Sequence, residues 1–358
     1  MTHHTPCPTT CTLKGRPMPM SFPRCTRPLL ALLIAGAVAL PGQAGGRGGP
    51  RTGPNVFQGK HLPFENGFRV YIVSNMAGMG AAVDMKEVMA GTEAGAPAQT
   101  NTASFADYEG RFRSLLTQEA NAAVRGARLG GARSFVVGDA HPGNSFGNIL
   151  PWELDSAVVL VRGFPRPLFM ISGLDSTFGT LMFDGAVASA GSKGILPHTF
   201  GFDAFSVNGK PLNEVAISAL IAGEMRVSVS MVAGDDAAIE ETRAMLPNGF
   251  VGVITKYAVG RQAGITYSPV RVRQMIAAGA AEAVRREKAG AFAPFKMDKP
   301  YRVEFTVQSS MSDDVVGQIA AMSGFTLEKT GPRSFRFTTE SARQIGYLID
   351  AMQPWVTR

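Results

Sequence analysis

Histidines and carboxylates near the ends of predicted strands are the residues of this chain best suited to chemistry. His141 lies in the segment GDAHPGN at 138–144, directly after a predicted strand. Ligands of open α/β sheets bind at the carboxyl ends of strands, so this loop is a predicted functional site. The alternative is a histidine that only stabilises its loop. His198, which follows the segment ILP, is about equally consistent with a structural role.

A second candidate group is Glu214, which begins an apolar helical pattern made by Leu212, Val215 and Ala216. Burial of a carboxylate at such a position is typical of a functional group. The alternative interpretation is a charge placed at a helix N-terminus, where the helix dipole favours it.

The segment GNSFG at 143–147 matches the G-x-S-x-G pattern of a serine nucleophile, which would be Ser145. That chemistry needs the serine on the turn between strand and helix, but the predicted strand ends several residues earlier. His198 and either Asp175 or Asp184 would complete a triad. A serine hydrolase is therefore kept only as an alternative function.

Strands and helices alternate along most of the chain, a pattern that predicts a layered α/β/α domain. The domain is expected over residues 67–295, with a small α+β unit over 300–358. Predicted strands lie at 68–74, 133–138, 157–161, 168–171, 180–183, 227–233 and 250–255. Predicted helices lie at 105–129, 212–225, 235–246 and 268–289.

The N-terminus has the pattern of a signal peptide over residues 1–44. Residues 1–51 contain no acidic residue, and Arg24 and Arg27 precede the apolar run 29–40. Twelve apolar residues are too few for a membrane span, which needs about 20. A buried helix is the alternative, and Met20 would begin a signal of ordinary length. A flexible Gly/Pro-rich lead-in is expected over 45–66.

Cleavage of that leader would change the class of partner that the composition suggests. The full chain has 358 residues, a formal charge of +7 and three cysteines. Removing 44 of the 358 residues leaves 314, lowers the charge to +3 and removes every cysteine. We therefore expect a periplasmic or secreted protein with no membrane span and no nucleic-acid partner.

Seven short motifs, in order and at matching spacing, resemble the D-aminopeptidase family of zinc metallopeptidases linked to dipeptide-transport operons. The resemblance covers roughly residues 68–352. The motifs are SNMAG at 74–78, TQEAN at 117–121, GDAH at 138–141, GLDSTF at 173–178, PH at 197–198, NE at 213–214 and VAGDD at 232–236.

The resemblance implies a two-zinc site, in which an aspartate bridges the metals and two histidines and two glutamates complete them. The bridging aspartate falls on Asn75, the first glutamate on Ala77 and the second histidine near Val187. His141 and Glu214 keep ligand side chains, so two of five positions survive. Zinc needs anionic or imidazole ligands, and a neutral amide is a weak bridge between two dications.

Two functions follow from the resemblance. The first is a metallopeptidase that hydrolyses N-terminal residues of short peptides, with one or two zinc ions and impaired by the lost ligands. Asp139 or Asp184 would then substitute as a ligand, and His198 would act near the scissile carbonyl. The second is a peptide-binding relative without catalysis. The family also implies a homo-oligomer.

Overall fold

The computed structural model describes residues 67–89, 102–323 and 326–356, all within one compact unit, Thr52–Arg358. The expected signal peptide, the start at Met20 and the lead-in over 45–66 lie outside the described residues. Within the described part, none of the helices combines the length and the apolar composition that crossing a membrane requires.

The described residues form the following elements. The strands are β1 Arg69–Ser74, β2 Ser134–Asp139, β3 Val158–Val161, β4 Thr180–Ala186, β5 Phe202–Val207, β6 Lys210–Pro211, β7 Ser228–Asp235, β8 Val251–Gly260, β9 Ala263–Thr266, β10 Tyr301–Val307, β11 Glu328–Lys329 and β12 Ser334–Thr339. The helices are α1 Met85–Val88, α2 Thr102–Leu129, α3 Glu214–Glu224, α4 Asp236–Met245, α5 Pro269–Lys288, α6 Asp313–Ser323 and α7 Ala342–Val356.

A seven-stranded sheet in the order β3-β2-β1-β4-β7-β8-β9 carries the candidate site. All its strand pairs are parallel except β8 with β9. The central strands are buried on both faces, which is why their sequences are almost continuously apolar. The α/β fold class predicted from the sequence is confirmed.

Side chains alternate between two cores on the two faces of this sheet. Val70 and Ile72 of β1 pack with α2 and α5, which contact each other. Tyr71 and Val73 of the same strand pack with α3 on the other face. Functional groups on successive strand residues therefore lie on opposite sides of the sheet.

The second sheet has the order β11-β12-β10-β5-β6 and is antiparallel. Its strands β5 and β6 come from the middle of the chain. The turn at Asn208-Gly209 places β6 beside β5. Val207 of β5 is opposite Val303 of β10. The expected boundary near residue 295 thus does not separate the two sheets.

The strand predicted at 168–171 is wrong. This segment is a single 3₁₀ turn, Phe169–Ile171, preceded by Leu168 in the left-handed region with φ of 63°. All four residues are buried. A short, fully buried apolar run has no periodicity that distinguishes a strand from a turn packed into the core.

Candidate functional site

Three of the predicted ligand positions follow neighbouring parallel strands. Asn75 follows β1, His141 lies two residues after β2, and Val187 follows β4. Because β1 pairs with both β2 and β4 in parallel, the three positions lie at the same carboxyl edge. Glu214, the first residue of α3, joins Asn75 and Val187 in lining a cavity of about 10 Å³. That volume holds about one water molecule or one ion.

Asn75 is buried and hydrogen-bonded within its own turn. The residue is 4% exposed, and its backbone N–H donates to the carbonyl of Asp184 at 2.8 Å. Its Oδ1 accepts from the backbone N–H of Ala77 at 3.1 Å. The same Oδ1 lies 3.3 Å from Nδ1 of His141. The amide at the position where the resemblance implies a bridging carboxylate therefore caps its own turn.

Two glycines let this turn contact the end of β4. A methyl group at Gly78 would lie 1.9 Å from the carbonyl oxygen of Gly185. Gly185 itself has φ of 93°, which favours glycine. The contact fixes the backbone that carries Asn75 against the strand that precedes Val187.

His141 is neutral and fixed in one tautomer. Its Nε2 lies 2.8 Å from the carbonyl of Val88, which only accepts, so Nε2 carries the proton. The lone pair of Nδ1 then faces Oδ1 of Asn75, which is also an acceptor. Burial, with a smaller effect of His198, lowers the pKa of His141 to about 3. Donating one ring N–H to a carbonyl is also the usual arrangement of a metal-binding histidine.

His198 and Glu214 form a pair at the start of α3. Nε2 of His198 lies 3.5 Å from Oε1 of Glu214, and Nδ1 donates to the carbonyl of Leu196 at 2.8 Å. Oε1 of Glu214 also accepts from the backbone N–H of Phe200 at 2.7 Å. Burial raises the pKa of Glu214, and both neighbours oppose that rise. The His198 side chain is 33% exposed, so the pair is accessible from one side.

Asp139 and Asp184, the proposed substitute ligands, belong to the α2 face of the sheet. Asp139 alternates in phase with Val137, and Asp184 with Met182, and both apolar residues pack in the α2 core. The Asp139 carboxylate accepts from backbone N–H groups of residues 141, 148 and 149 and from the side chain of Asn148. These four hydrogen bonds occupy the acceptor positions of both carboxylate oxygens.

The carboxylate of Asp184 accepts from the hydroxyl of Ser74 at 3.4 Å. Asp184 also forms part of the cavity wall, next to Phe183, whose side chain points to the α3 face. Burial, and then the charge of Glu119, raises the pKa of Asp184 well above its ordinary value. Without a bound cation, this carboxyl therefore favours its protonated form.

A buried lysine that the sequence reasoning missed holds the turn after β1. Lys256 is fully buried in β8, and burial lowers its pKa to about 8. Its Nζ donates to three carbonyls of this turn, at 3.4, 2.9 and 2.5 Å, those of Ala77, Met79 and Ala82. The only signal was a lysine following a predicted buried strand.

Glu119, the carboxylate of the TQEAN motif, supports the same turn from α2. Its Oε2 accepts from the backbone N–H of Gly80 at 3.1 Å. Burial raises its pKa to about 7, while the Gly80 N–H and the charge of Lys256 oppose the rise. The turn that carries Asn75 and Ala77 is thus fixed by a buried cation on one side and a buried carboxyl on the other.

These side chains do not fit a two-zinc centre. Over 67–89, 102–323 and 326–356 there is no group of three or more His, Cys, Asp or Glu residues placed to hold a metal ion. Ala77 and Val187 offer no donor atom, and Asn75 offers a neutral oxygen that is already hydrogen-bonded. A pair of dications lacks the bridging negative charge that it needs.

The serine triad is not assembled either. Ser145 is exposed in a 3₁₀ turn, Gly143–Ser145, with φ of 51°. The two ring nitrogens of His198 face Leu196 and Glu214. Asp175 instead accepts from the backbone and hydroxyl of Thr177.

An open parallel α/β sheet with its polar groups at the carboxyl edge is the architecture of many ligand-binding and hydrolytic proteins. The model of the D-aminopeptidase family of peptidases matches residues 68–351. The chain belongs to this family, as the sequence motifs predicted. The membership covers both sheets and all of the candidate site.

A curated sequence and a solved structure are similar to this chain. D-aminopeptidase of Bacillus subtilis (strain 168) is 33% identical over 172 residues, which cover 48% of this chain and 61% of the relative. The match thus spans about three fifths of that relative's length. The structure of "Zn-dependent D-aminopeptidase DppA from Bacillus subtilis, a self-compartmentalizing protease" shares the fold. It has a TM-score of 0.68, 24% identity, and coverage of 81% of this chain and 98% of that one.

Proposed function

We propose that this chain is a peptide-binding member of the D-aminopeptidase family in which hydrolysis by a two-zinc centre is lost. The observation that carries the proposal is the hydrogen bonding of Asn75 within its own turn. Its Oδ1 accepts from Ala77 at 3.1 Å where the family pattern has metal-binding carboxylates. The turn is stabilised by its own amide and by Lys256.

The accessible pair of His198 and Glu214 is the surface that a short peptide would contact. The imidazole of His198 is one-third exposed and its ring nitrogens face Leu196 and Glu214, so a peptide would pack against the exposed part of the ring. The neighbouring cavity of about 10 Å³ is too small for a peptide residue, so binding would be to the outer side of the pair. Family membership supports short peptides as the ligand class.

A second candidate function is impaired metal-dependent removal of N-terminal residues from short peptides. One observation favours it: the lone pair of His141 Nδ1 lies 3.3 Å from Oδ1 of Asn75, a spacing close to that of two ligands on one metal ion. His141, Asn75 and Glu214 would then hold a single zinc ion. The relative named as zinc-dependent supports zinc as the metal.

Calorimetric titration with short D- and L-alanyl peptides, with and without EDTA, separates the two candidates. The proposal predicts saturable binding that EDTA does not change, and no release of free amino acid. The variant His198→Ala should weaken that binding, whereas Lys193→Ala, at an exposed position of the loop that precedes His198, should not. Hydrolysis that EDTA abolishes, or absence of binding to either peptide series, would refute the proposal.

We also propose that copies of the chain associate through the β8–β9 hairpin and that the mature protein is exported. The hairpin exposes large apolar side chains, with Val259 69% and Ile265 65% exposed. Such patches are typical of interaction surfaces. The self-compartmentalizing relative supports self-association. The leader pattern supports a periplasmic or secreted location, which cell fractionation with N-terminal sequencing would test.

A further inference from the structure

A groove lies at the other end of α3, remote from the pair of His198 and Glu214. It has a volume of about 750 Å³ and is lined by the C-terminal end of α3, the segment 295–301 and the beginning of α7. Glu214 begins α3 and Glu224 ends it, so about 15 Å of helix separates the groove from the peptide-binding surface. A volume of this size suits a small organic ligand.

The groove has an excess of positive charge. Arg226, Lys296 and Arg343 are exposed and line it, and none of the three makes a side-chain ion pair with any residue in the described ranges. A fourth cation, Lys299, is neutralised by Glu224 at 2.9 Å. One further carboxylate, that of Asp298, lines the groove. Three free cations against one carboxylate make a surface that attracts anions.

The backbone at Arg226 gives a second, independent observation. Helix α3 ends in a Schellman motif, in which Val227 N–H donates to the Ala222 carbonyl and Arg226 N–H to the Gly223 carbonyl. The motif places Arg226 in the left-handed region, with φ of 64°. Glycine is the favoured residue there, and an arginine is strained. The motif fixes the backbone that carries the unpaired charge of Arg226 beside the groove.

We propose that this groove binds a small anion with two or more closely spaced phosphate or carboxylate groups. Arg226 and Arg343 present planar guanidinium groups suited to paired oxygens, and Lys296 adds a point charge. The partly buried Phe295 and Met297 beside them provide an apolar wall for the rest of an organic anion. The inference is independent of the peptide site and of its chemistry.

Calorimetric titration of the full chain with pyrophosphate and with citrate at low ionic strength tests the inference and distinguishes phosphate from carboxylate ligands. The wild type should bind at least one of them saturably, and added salt should weaken binding. Arg343→Gln and Lys296→Gln should each weaken it about two- to fivefold. The matched control Arg271→Gln, at an exposed position on α5, should leave it unchanged.

The variant Arg226→Gly separates function from structure. Glycine relieves the strained backbone, so the melting temperature should rise by about 1–3 °C while anion binding falls about two- to fivefold. If Arg226 served only stability, the glycine variant would have a lower melting temperature and unchanged anion binding. The inference is overturned if the wild type binds neither probe, if the groove variants bind like the wild type, or if the control weakens binding equally.

Discussion

Acidification is expected to destabilise the protein through the buried imidazole of His141. Burial lowers the pKa of this group from its ordinary 6.5 to about 3 in the folded protein. The imidazole is therefore protonated below about pH 6.5 in the unfolded chain, but only below about pH 3 in the folded protein. Stability from this group is complete above pH 6.5 and is lost progressively as the pH falls towards 3.

The magnitude follows from the width of that window. Each pH unit below 6.5 costs about 1.4 kcal/mol, so a change from about pH 7.5 to about pH 5.0 removes about 2 kcal/mol. Buried carboxyls with raised pKa values, such as Glu214, contribute with the opposite sign. The comparison must therefore be made between the wild type and a variant that lacks only the imidazole.

Urea unfolding of the wild type and of His141→Gln, at both pH values and with EDTA present, gives this comparison. The free energy of unfolding of the wild type should fall by about 2 kcal/mol more than that of the variant. His141→Asn provides a second measurement if the glutamine variant does not fold. Equal pH dependence of wild type and variants would refute the assignment of His141 as a buried neutral group.

Three further predictions concern the turn after β1 and the exposed hairpin. Lys256→Met should cost about 3–5 kcal/mol of unfolding free energy in denaturant titrations, because three buried carbonyls lose their donor. Lys288→Met, on an exposed position, should change it by less than about 0.5 kcal/mol. Gly78→Ala should cost about 3 kcal/mol, since the added methyl meets the β4 backbone. Gly110→Ala, at an open helical position, should stabilise by about 0.5–1 kcal/mol. Ile265→Lys should reduce the mass measured by light scattering after gel filtration towards that of a monomer; an unchanged mass would argue against the hairpin interface.

Alternating apolar and helical patterns predicted most of the main sheet, because each buried strand and amphipathic helix has its own period. The same reasoning placed His141 after β2 and Glu214 at the start of α3. The motifs predicted the family, which the family match confirms. Local pattern was sufficient for these features because each depends on residues close together in the chain.

Features made by distant contacts could not be predicted in this way. The pairing of β5 with β10 joins residues about a hundred positions apart. The role of Lys256 depends on a turn that lies 174 to 179 residues earlier in the chain. Asp184 was proposed as a substitute ligand because it is only three residues from Val187 in the chain. The alternation of β4 places its side chain on the α2 face of the sheet.

The central claim is that the chain lacks a two-zinc centre because Asn75, Ala77 and Val187 stand where the resemblance places metal ligands. Its most direct test is the zinc content of the protein purified without chelator, measured together with hydrolysis of short D- and L-peptides. The wild type should contain less than about 0.1 zinc per chain and release no amino acid, because functional zinc normally binds tightly. The variant Asn75→Asp/Ala77→Glu/Val187→His should gain zinc and peptidase activity. Close to one or two zinc ions per wild-type chain, with peptide hydrolysis, would contradict the account.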